Sequence, residues 1–432
     1  MVLIPFLCTP TIAEQAVNAE QLSIEDNSSE RVAFGEAPTA VSERIFTELK
    51  ERIPETGLAW IDEAFAFGAP RAYYRHFEQR DGSVAEALTV GGSIGLQSGS
   101  IWEIARVQLS GHTSQRVHGP SDRDGTGLLQ TGQESYTVLG EAMLDVEIAA
   151  INLKAGYQRI DLPYLNSNDT RMVPNHFNAI GIDGTRIENL DLYIGYVHEI
   201  KERTSDDYVS MAEQAGGLQE DEGTITTGGR FFYSEDGYVG AINLYTPDTL
   251  NIFYVESMLQ LVTQEDLIVD FGFQFTDQQS VGDEQIGDVE VQHYGAQLRG
   301  RWGALTAALS YTYTDTNTAV QKPWSGSPSF NAMMISDFDR AEEHAYGLGL
   351  NYDLSYWIDG IALSARFAHG ETKDQDVELF PDQQEINFNI DYRPPQIRNF
   401  HLRLRYAHND EDSNSFSDRT DFRVIANYYV QF

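Results

Sequence analysis

Val424-Ile425-Ala426-Asn427-Tyr428-Tyr429-Val430-Gln431-Phe432, at the C-terminal end of the chain, has an apolar residue at every second position. The polar residues Arg423, Asn427 and Gln431 stand at intervening positions. Successive side chains of a β-strand point to opposite faces of the sheet, so the pattern predicts a strand with one apolar and one polar face. A terminal aromatic such as Phe432 on the apolar face is typical of Gram-negative outer-membrane barrels, in which a closed sheet pairs every backbone polar group within lipid.

The composition fits such a barrel and excludes a membrane-spanning helix. The mean hydropathy of the 432 residues is -0.37, and no apolar run reaches the length of about 20 residues that a transmembrane helix needs. Barrel strands have a low mean hydropathy because half of their side chains face a polar lumen. The 22 Tyr, 22 Phe and 5 Trp suit strands and the aromatic girdles of membrane interfaces.

The chain is strongly acidic, with 66 Asp and Glu against 29 Lys and Arg and a formal net charge of -37. Nucleic acid is therefore not an expected partner, because binding to phosphates needs a basic surface. We interpret the acidity as solvated loops, with cation-bridged contact to lipopolysaccharide as the alternative. A barrel of this kind would have outer-membrane lipid and lipopolysaccharide as its partners, and the barrel assembly machinery would recognise it through Phe432.

The N-terminal part of the chain lacks the strand pattern. Residues 1–13 contain a short apolar run and are interpreted as the remnant of a signal peptide. Residues 14–69 form a polar, acidic segment that we expect on the periplasmic side. Helical spacing of apolar residues within this segment predicts short helices over about 42–53 and over Trp60–Phe67.

From residue 70 to residue 432 the apolar period is two, which predicts an all-β, transmembrane, antiparallel barrel of eighteen strands. Single-chain bacterial barrels use even strand numbers, with short periplasmic turns and long extracellular loops. The connections between the predicted strands alternate in this way, apart from the short ones at 80–83 and 248–249 on the long side. The predicted strands are 70–79, 84–97, 101–113, 135–148, 150–160, 177–186, 190–202, 225–235, 238–247, 250–262, 267–278, 289–302, 305–315, 342–355, 360–371, 384–393, 400–408 and 421–432.

Arginines occupy inward positions of strands toward the C-terminus. An Arg on the lipid face costs roughly 2 to 4 kcal/mol at the membrane midplane, which favours the lumen. Because adjacent strands lie about 4.8 Å apart, guanidinium groups on neighbouring strands could form a basic track that passes a carboxylate along by bidentate hydrogen bonds. The alternative is that they pair with acids such as Asp391 and only brace the wall. The candidate substrate path comprises Arg299, Arg301, Arg366, Arg393, Arg403, Arg405 and Arg423.

Two long connections are candidates for a constriction of the pore. Segment 161–177 follows the fifth predicted strand and is polar; if it folds into the lumen, it narrows the pore, and otherwise it is a surface loop. Its candidate constriction residues are Asn166, Ser167, Asn168, Asp169 and Arg171. The connection over 316–341 is the second candidate, with a surface cap as its alternative; its notable residues are Trp324, Phe330, Met333, Met334, Asp337 and Asp339.

Signals for catalysis or for a bound metal are weak. Asp122-Arg123-Asp124-Gly125 resembles part of a calcium loop but lacks the distal bidentate Glu. A barrel enzyme would need a Ser-His or Asp-His pair at the rim, and the nearest approaches are His369 with Glu371 and His408 with Asp410. Solvated rim residues explain both pairs better. We therefore predict no catalytic residue, no metal site and no cofactor.

Several segments resemble the OprD family of outer-membrane porins. The most specific is Gly156-Tyr157-Gln158-Arg159-Ile160-Asp161-Leu162-Pro163-Tyr164-Leu165-Asn166-Ser167-Asn168-Asp169-Thr170-Arg171-Met172-Val173-Pro174-Asn175-His176-Phe177. Shorter ones follow the same order along roughly residues 70 to 432: Gly91-Gly92-Ser93-Ile94-Gly95, Leu139-Gly140-Glu141-Ala142, Leu402-Arg403-Leu404-Arg405-Tyr406-Ala407 and Asp421-Phe422-Arg423-Val424-Ile425.

The resemblance implies an eighteen-stranded channel in the bacterial outer membrane, monomeric or a weak homotrimer. It also implies that the third loop forms an eyelet at Asn166 to Arg171, and that basic residues including Arg403, Arg405 and Arg423 lead carboxylates through the pore. We therefore expect a porin for passive, substrate-preferring diffusion of amino acids, peptides and organic acids. A general, weakly selective porin is the alternative, and a barrel enzyme or an adhesion barrel is less favoured. The long acidic N-terminal segment and the overall acidity depart from the family.

Overall fold

The computed structural model describes residues 56–149, 151–185, 187–218, 221–234, 237–264, 267–315, 318–372, 381–412 and 418–431. The interpreted signal-peptide remnant, the helix predicted over 42–53 and Phe432 lie outside the described residues. No helix in these ranges is long and apolar enough to cross a membrane.

Eighteen long strands form one antiparallel sheet in the described part of the chain, which confirms the predicted fold class. Each strand pairs with the next one along the sequence. The strands are β1 (Phe65–Glu78), β2 (Val84–Gln97), β3 (Ala105–His118), β4 (Tyr136–Ile148), β5 (Ile151–Gln158), β6 (His176–Thr185), β7 (Leu190–Lys201), β8 (Thr224–Phe232), β9 (Tyr238–Thr246), β10 (Leu250–Gln264), β11 (Leu267–Ser280), β12 (Glu290–Trp302), β13 (Leu305–Thr314), β14 (Glu343–Asp353), β15 (Ile361–Thr372), β16 (Gln383–Tyr392), β17 (Phe400–Glu411) and β18 (Arg419–Tyr428).

The sheet closes because β1 pairs with β18 as well as with β2. Ala72 lies opposite Ala426 and Arg75 opposite Arg423 in this last pairing. Beyond Tyr429 the pairing continues, with Val430–Gln431 opposite Gly68 and Phe67. A closed sheet leaves no edge with unpaired backbone groups, which is the condition for crossing a bilayer with strands.

The start of the first strand differs from the sequence-based prediction. β1 begins at Phe65 rather than at residue 70, and the helix predicted over Trp60–Phe67 is limited to Ala59–Asp62. Residues 65–69 pair in register with residues 93–97 of β2. This pairing prevails over the weak helical spacing of the segment, because a strand beside an existing partner gains a ladder of hydrogen bonds.

Short and long connections alternate around the barrel, as predicted. On one side lie short connections such as 98–104, 303–304 and 354–360. On the other side lie the long loops, among them 119–135 and 159–175, and the described parts 202–218 and 318–342 of two others. The connections 79–83 and 247–249 belong to the long-loop side and are short, also as predicted.

The two faces of the sheet differ in burial along each strand. In β17, Arg403 and Arg405 are buried whereas Tyr406 between Arg405 and Ala407 is exposed. The outward positions elsewhere carry large apolar side chains, such as Leu298 and Phe388, that are also exposed. The outer wall is therefore apolar, as a lipid-facing surface must be, and the polar and basic positions face the interior.

Folded connections fill part of that interior. The largest hydrophobic cluster joins Tyr164, Leu165 and Trp324 from two long loops to strand residues such as Leu244 and Ile252. The buried core therefore lies inside the barrel, where loops pack against the wall.

Candidate functional site

The loop between β5 and β6, residues 159–175, crosses the lumen. At one end the Tyr164 hydroxyl lies 2.9 Å from Oγ1 of Thr276 on β11, and Tyr164 is fully buried. At the other end, Asp169 accepts a hydrogen bond of 2.7 Å from Arg71 on β1. The first and eleventh of eighteen strands stand nearly opposite each other in a closed barrel, so the loop spans the pore between them.

The loop holds its own shape through local hydrogen bonds. Asp161–Leu162 pairs with Leu165–Asn166 as a small hairpin, and Tyr164 within it has a positive φ of 61°. The Ser167 amide donates to the Ile160 carbonyl at 2.8 Å, and the Asn175 amide donates to the Ser167 carbonyl at 2.7 Å. The lumen-crossing loop therefore has a defined fold of its own.

The five predicted constriction residues divide into two groups. Asn166, Ser167 and Asn168 bond within the loop: the Asn166 side chain accepts from the Asn168 amide at 3.1 Å, and the Ser167 hydroxyl donates to the Ile160 carbonyl at 3.3 Å. Asp169 and Arg171 instead lie near the wall. Asp169 is held by Arg71 with Arg159 3.8 Å away, and the Arg171 side chain donates to the Thr170 carbonyl at 3.0 Å. Their role in solute passage remains a prediction.

Three of the predicted path arginines lie together on neighbouring strands. Arg405 of β17 is opposite Arg423 of β18, and Arg403 is one inward position below Arg405. Arg423 donates to Asp421 at 2.6 and 3.1 Å, and Arg403 lies 2.7 Å from Asp391. Pairing with acids of the wall is what we expect if Arg403 and Arg423 only brace the barrel, so these contacts fit that alternative.

The other four predicted arginines lie apart from that group. Arg299 and Arg301 of β12 share Asp270, at 3.2 and 3.4 Å, on a different stretch of wall. Arg366 donates to the carbonyls of Phe330 and Ala332 in a long loop, at 2.7 and 3.1 Å.

Arg393 was predicted as the inward end of a strand, but β16 ends at Tyr392. Arg393 begins the turn that contains Pro394 and Pro395, and its side chain is exposed. Proline cannot donate to a strand ladder, so the strand ends before this pair. Arg393 therefore lies at the short-turn mouth and not on the buried wall.

The sequence prediction missed the basic residues of the first strand. Arg75 of β1 lies opposite Arg423, so Arg405, Arg423 and Arg75 form one row across β17, β18 and β1. We call these three residues the seam row. Arg71, Tyr73 and Arg75 alternate along the inner face of β1, and this period-two pattern was available in the sequence. Closure of the barrel places it beside the C-terminal strands, whereas the prediction considered only the latter.

The long loop before β14, described over 318–341, lines a large part of the inner wall. It is bonded to β11 through Gln274 and Gln278, which donate to the carbonyls of Pro328 and Gln321 at 2.7 and 2.9 Å. Glu385 of β16 accepts hydrogen bonds from the amides of Ile335 and Ser336, at 3.0 and 2.8 Å. The loop is therefore fixed to the wall, and the surface-cap alternative does not describe it.

The residues predicted to matter in this loop have distinct surroundings. Trp324 is fully buried and donates from Nε1 to the Met211 carbonyl at 2.9 Å, whereas Met333 and Phe338 form a separate apolar cluster with Ala345 and Ala368. Lys322 lies 2.5 Å from Asp339 and 3.0 Å from Asp337. Burial raises the pKa of the Asp339 carboxyl to about 6, and the two carboxylates raise the pKa of Lys322.

The relatives of the chain identify this architecture. A sequence profile described as outer membrane porin, OprD family, matches residues 81–432. The chain belongs to the OprD family. Porin D of Pseudomonas aeruginosa is 21% identical over 357 aligned residues, which cover 74% of this chain and 80% of Porin D.

Solved structures of similar fold agree with this assignment. OccK9 (OpdG) of Pseudomonas aeruginosa superposes with a TM-score of 0.78 at 21% identity, covering 87% of this chain and 100% of OccK9. OpdK of the same organism, crystallised with vanillate, gives a TM-score of 0.76 at 19% identity, covering 86% of this chain and 100% of OpdK. The OprD-family resemblance and the eighteen-stranded barrel are thus confirmed, and the protein is an outer-membrane porin.

The histidines considered for catalysis are partly exposed side chains in this OprD-family porin. His369 lies 3.3 Å from Glu371. His408 lies 3.4 Å from the Thr420 hydroxyl and 3.9 Å from Asp418, whereas Asp410, its expected partner, accepts a hydrogen bond of 2.9 Å from Gln384. The side chains of His369, Glu371, His408 and Asp418 are more than a third exposed. Within the described ranges no three His, Cys, Asp or Glu side chains are grouped so that they could hold a metal ion.

Proposed function

We propose that this OprD-family porin lets small carboxylate-bearing solutes, such as amino acids, peptides and organic acids, diffuse passively across the outer membrane with a preference over other ions. The gradient of the solute drives transport, and the protein catalyses no reaction. Solutes would meet the seam row beside the loop that crosses the lumen.

The observation that carries the proposal is the register of the seam row. Arg405, Arg423 and Arg75 occupy directly opposed positions on three adjacent strands, and all three side chains are at least nine-tenths buried. A guanidinium group presents a planar fork that matches a carboxylate with two parallel hydrogen bonds. Because guanidinium groups lie on adjacent strands, a carboxylate can bind the next one before it dissociates from the previous one. A pore with several such sites can bind a solute and still release it.

The presence of vanillate in the crystal structure of OpdK supports the same solute class, since vanillate is a carboxylate. OpdK shares the fold of this chain at 19% identity, so its ligand is an indication for the proposal and not a property of this chain.

A general, weakly selective porin is the second candidate, because wall acids accompany several arginines. Asp421 accepts hydrogen bonds from both Arg75 and Arg423, and Asp391 lies 2.7 Å from Arg403. Charge neutralised in this way would attract anions weakly. The two candidates differ in whether carboxylates bind in the pore.

Planar-bilayer recording separates the candidates. Reversal potentials in gradients of sodium salts of several carboxylates give their permeability relative to chloride for wild type, for Arg405→Gln and for the double variant Arg403→Ala with Arg405→Ala. Arg123→Gln is the matched control, since Arg123 is a loop arginine paired with Glu86 outside the seam row. We expect the carboxylate preference to fall about tenfold in both test variants, as for the loss of a charge-assisted hydrogen bond, and to persist in the control. Equal carboxylate and chloride permeability in wild type would favour the general pore.

A further inference from the structure

Two arginines and a tyrosine bind Thr170 at the end of the lumen-crossing loop. Arg171 donates to the Thr170 carbonyl at 3.0 Å, and Arg203 donates to the Thr170 hydroxyl at 2.8 Å. The hydroxyl of Tyr73, between Arg71 and Arg75 on β1, donates to the same carbonyl at 3.3 Å. Arg171, from the lumen-crossing loop, and Arg203, from the long loop after β7, therefore meet at Thr170 beside Tyr73 of β1.

A second loop ties this group to the seam row. Arg75 donates from Nη1 to the Thr126 carbonyl at 2.7 Å. The next residue, Gly127, has a φ of +68°, and a Cβ built there would lie 3.0 Å from Nε of Arg171. Arg171 is thus in contact with the segment that Arg75 binds. We name Arg75, Arg171, Arg203 and Arg423 the arginine cluster.

The arginine cluster has more positive than negative charge. Asp421, which both Arg75 and Arg423 bind, is the carboxylate bonded to the cluster among the residues that the structure describes. Glu202 acts on Arg203 only electrostatically and accepts a hydrogen bond from Gln214 at 2.7 Å. Asp169 is held by Arg71 instead. Arg75 and Arg423 therefore share one bonded carboxylate, whereas Arg171 and Arg203 bind Thr170 and, among the described residues, no carboxylate is bonded to either of them.

The pKa of Arg171 is shifted in the direction that this excess of positive charge predicts. Burial, followed by the positive charges of Arg75, Arg423 and Arg203, lowers the pKa of the Arg171 guanidinium well below its ordinary value. Burial also lowers the pKa of Arg203, and Arg75 and Arg423 add to the effect. An anion placed among these groups would remove the repulsion between them.

We propose that the arginine cluster binds small anions that carry two negative charges, so that the porin prefers dicarboxylates or phosphate-bearing solutes to monocarboxylates. The inference rests on the proposed function and names a narrower solute class for the same pore. One carboxylate can engage the Arg75 and Arg423 side of the cluster, and the second charge can engage Arg171 and Arg203. A monoanion leaves part of the excess charge without a partner.

The position of the cluster suits a capture site. Arg75 is three residues from the end of β1 at Glu78, which leads into the connection 79–83 on the long-loop side. Thr126, Thr170 and Arg203 all belong to long loops on that side. Solutes entering from the long-loop side reach the arginine cluster before Arg71 and Arg403, which lie deeper along the strands.

The test compares succinate with butyrate, and inorganic phosphate with chloride, in planar bilayers. The concentration of each anion at which the current it carries reaches half of its maximum gives its apparent affinity for wild type, Arg171→Gln, Arg203→Gln and Arg171→Lys. Arg123→Gln removes one loop arginine outside the cluster and is the matched control. Single-channel conductance of each variant reports that the barrel has assembled.

In wild type we expect succinate, phosphate or both to bind at least about tenfold more tightly than the matched monoanion, the difference expected for one additional charge-assisted hydrogen bond. Arg171→Gln and Arg203→Gln should each remove most of this preference, whereas Arg171→Lys should retain much of it and Arg123→Gln all of it. Binding by succinate alone or phosphate alone identifies which of the two solutes the site takes.

Two results would count against the inference, and they are distinguishable. If wild type binds butyrate as tightly as succinate and chloride as tightly as phosphate, the cluster does not select dianions, while the carboxylate preference of the pore stands. If dianions bind more tightly but Arg171→Gln and Arg203→Gln leave the preference unchanged, the site lies elsewhere. If the wild-type pore shows no preference for any of these anions over the others, and carboxylates are no more permeable than chloride, the proposed function itself is wrong.

Discussion

Arg71 on the first strand and Asp169 on the lumen-crossing loop form a buried bidentate ion pair. Nη1 of Arg71 lies 2.7 Å from Oδ1 of Asp169, and Nη2 lies 3.2 Å from Oδ2. Arg71 also donates to the Arg171 carbonyl and, through Nε, to Asn427 on β18 at 2.7 Å. One guanidinium group therefore joins the loop to both strands that close the barrel.

Asp169→Asn should loosen the loop without preventing barrel assembly. Removing one partner of a buried ion pair costs about 3 to 5 kcal/mol, because the remaining charge stays buried and unpaired. We expect more frequent current fluctuations in single-channel recordings, with the mean conductance raised. Asp81→Asn, in the exposed connection 79–83, is the control and should leave the noise unchanged. A recording of Asp169→Asn as quiet as that of wild type would show that other contacts fix the loop.

Tyr164 anchors the opposite end of the loop, and its ring and hydroxyl can be tested separately. Tyr164→Phe removes the hydrogen bond to Thr276, which should cost about 1 kcal/mol. Tyr164→Ala also removes the ring from the largest hydrophobic cluster and should cost about 3 to 5 kcal/mol. Denaturant unfolding of the detergent-solubilised protein measures both changes. Equal costs for the two variants would mean that the ring contributes nothing to the anchor.

The second loop should respond to pH through Asp339. Because burial raises the pKa of this carboxyl to about 6 from its ordinary 3.8, the folded protein holds a proton that the unfolded chain has released between these values. The contribution to stability is therefore fully present below pH 3.8 and is lost as the pH rises through 6. Unfolding free energy measured from pH 4 to pH 7 should fall over this window in wild type. Asp339→Asn should remove that part of the slope, and an unchanged slope would assign it to another group.

Glu385 should be the main polar anchor of the second loop. Glu385→Gln replaces a carboxylate that accepts from two backbone amides with a weaker neutral acceptor, and we expect a loss of about 1.5 to 3 kcal/mol in loop anchoring. Limited proteolysis within 318–341 should become faster. Gln384→Ala changes the adjacent, exposed residue on the outer face of the same strand and serves as the control. Equal cleavage rates in both variants would contradict the anchor.

The strand pattern was readable from the sequence because alternation is a local property. Leu402, Leu404 and Tyr406 alternate with Arg403 and Arg405 in the sequence and on the two faces of β17 in the structure. The start of β1 was less readable, since Phe65 to Ala69 have weak alternation and take strand structure from their pairing with β2.

The site was less predictable because it depends on contacts between distant parts of the chain. Arg393 and Arg405 both fit an inward period, but only the structure shows that Arg393 lies beyond the strand end. Arg75 and Arg423 are separated by most of the chain and become neighbours only on closure. Likewise, the presence of Asp169 was plain in the sequence, but its partner Arg71 depends on where the loop ends inside the barrel.

The pairing of β1 with β18 has a consequence for biogenesis. Arg75 lies on the first strand and Arg423 on the last, so the two become neighbours only when these strands pair and close the barrel. A chain whose first and last strands have not yet paired lacks this adjacency. The backbone hydrogen bonds between the first and last strands therefore close the barrel and assemble the seam row in the same step.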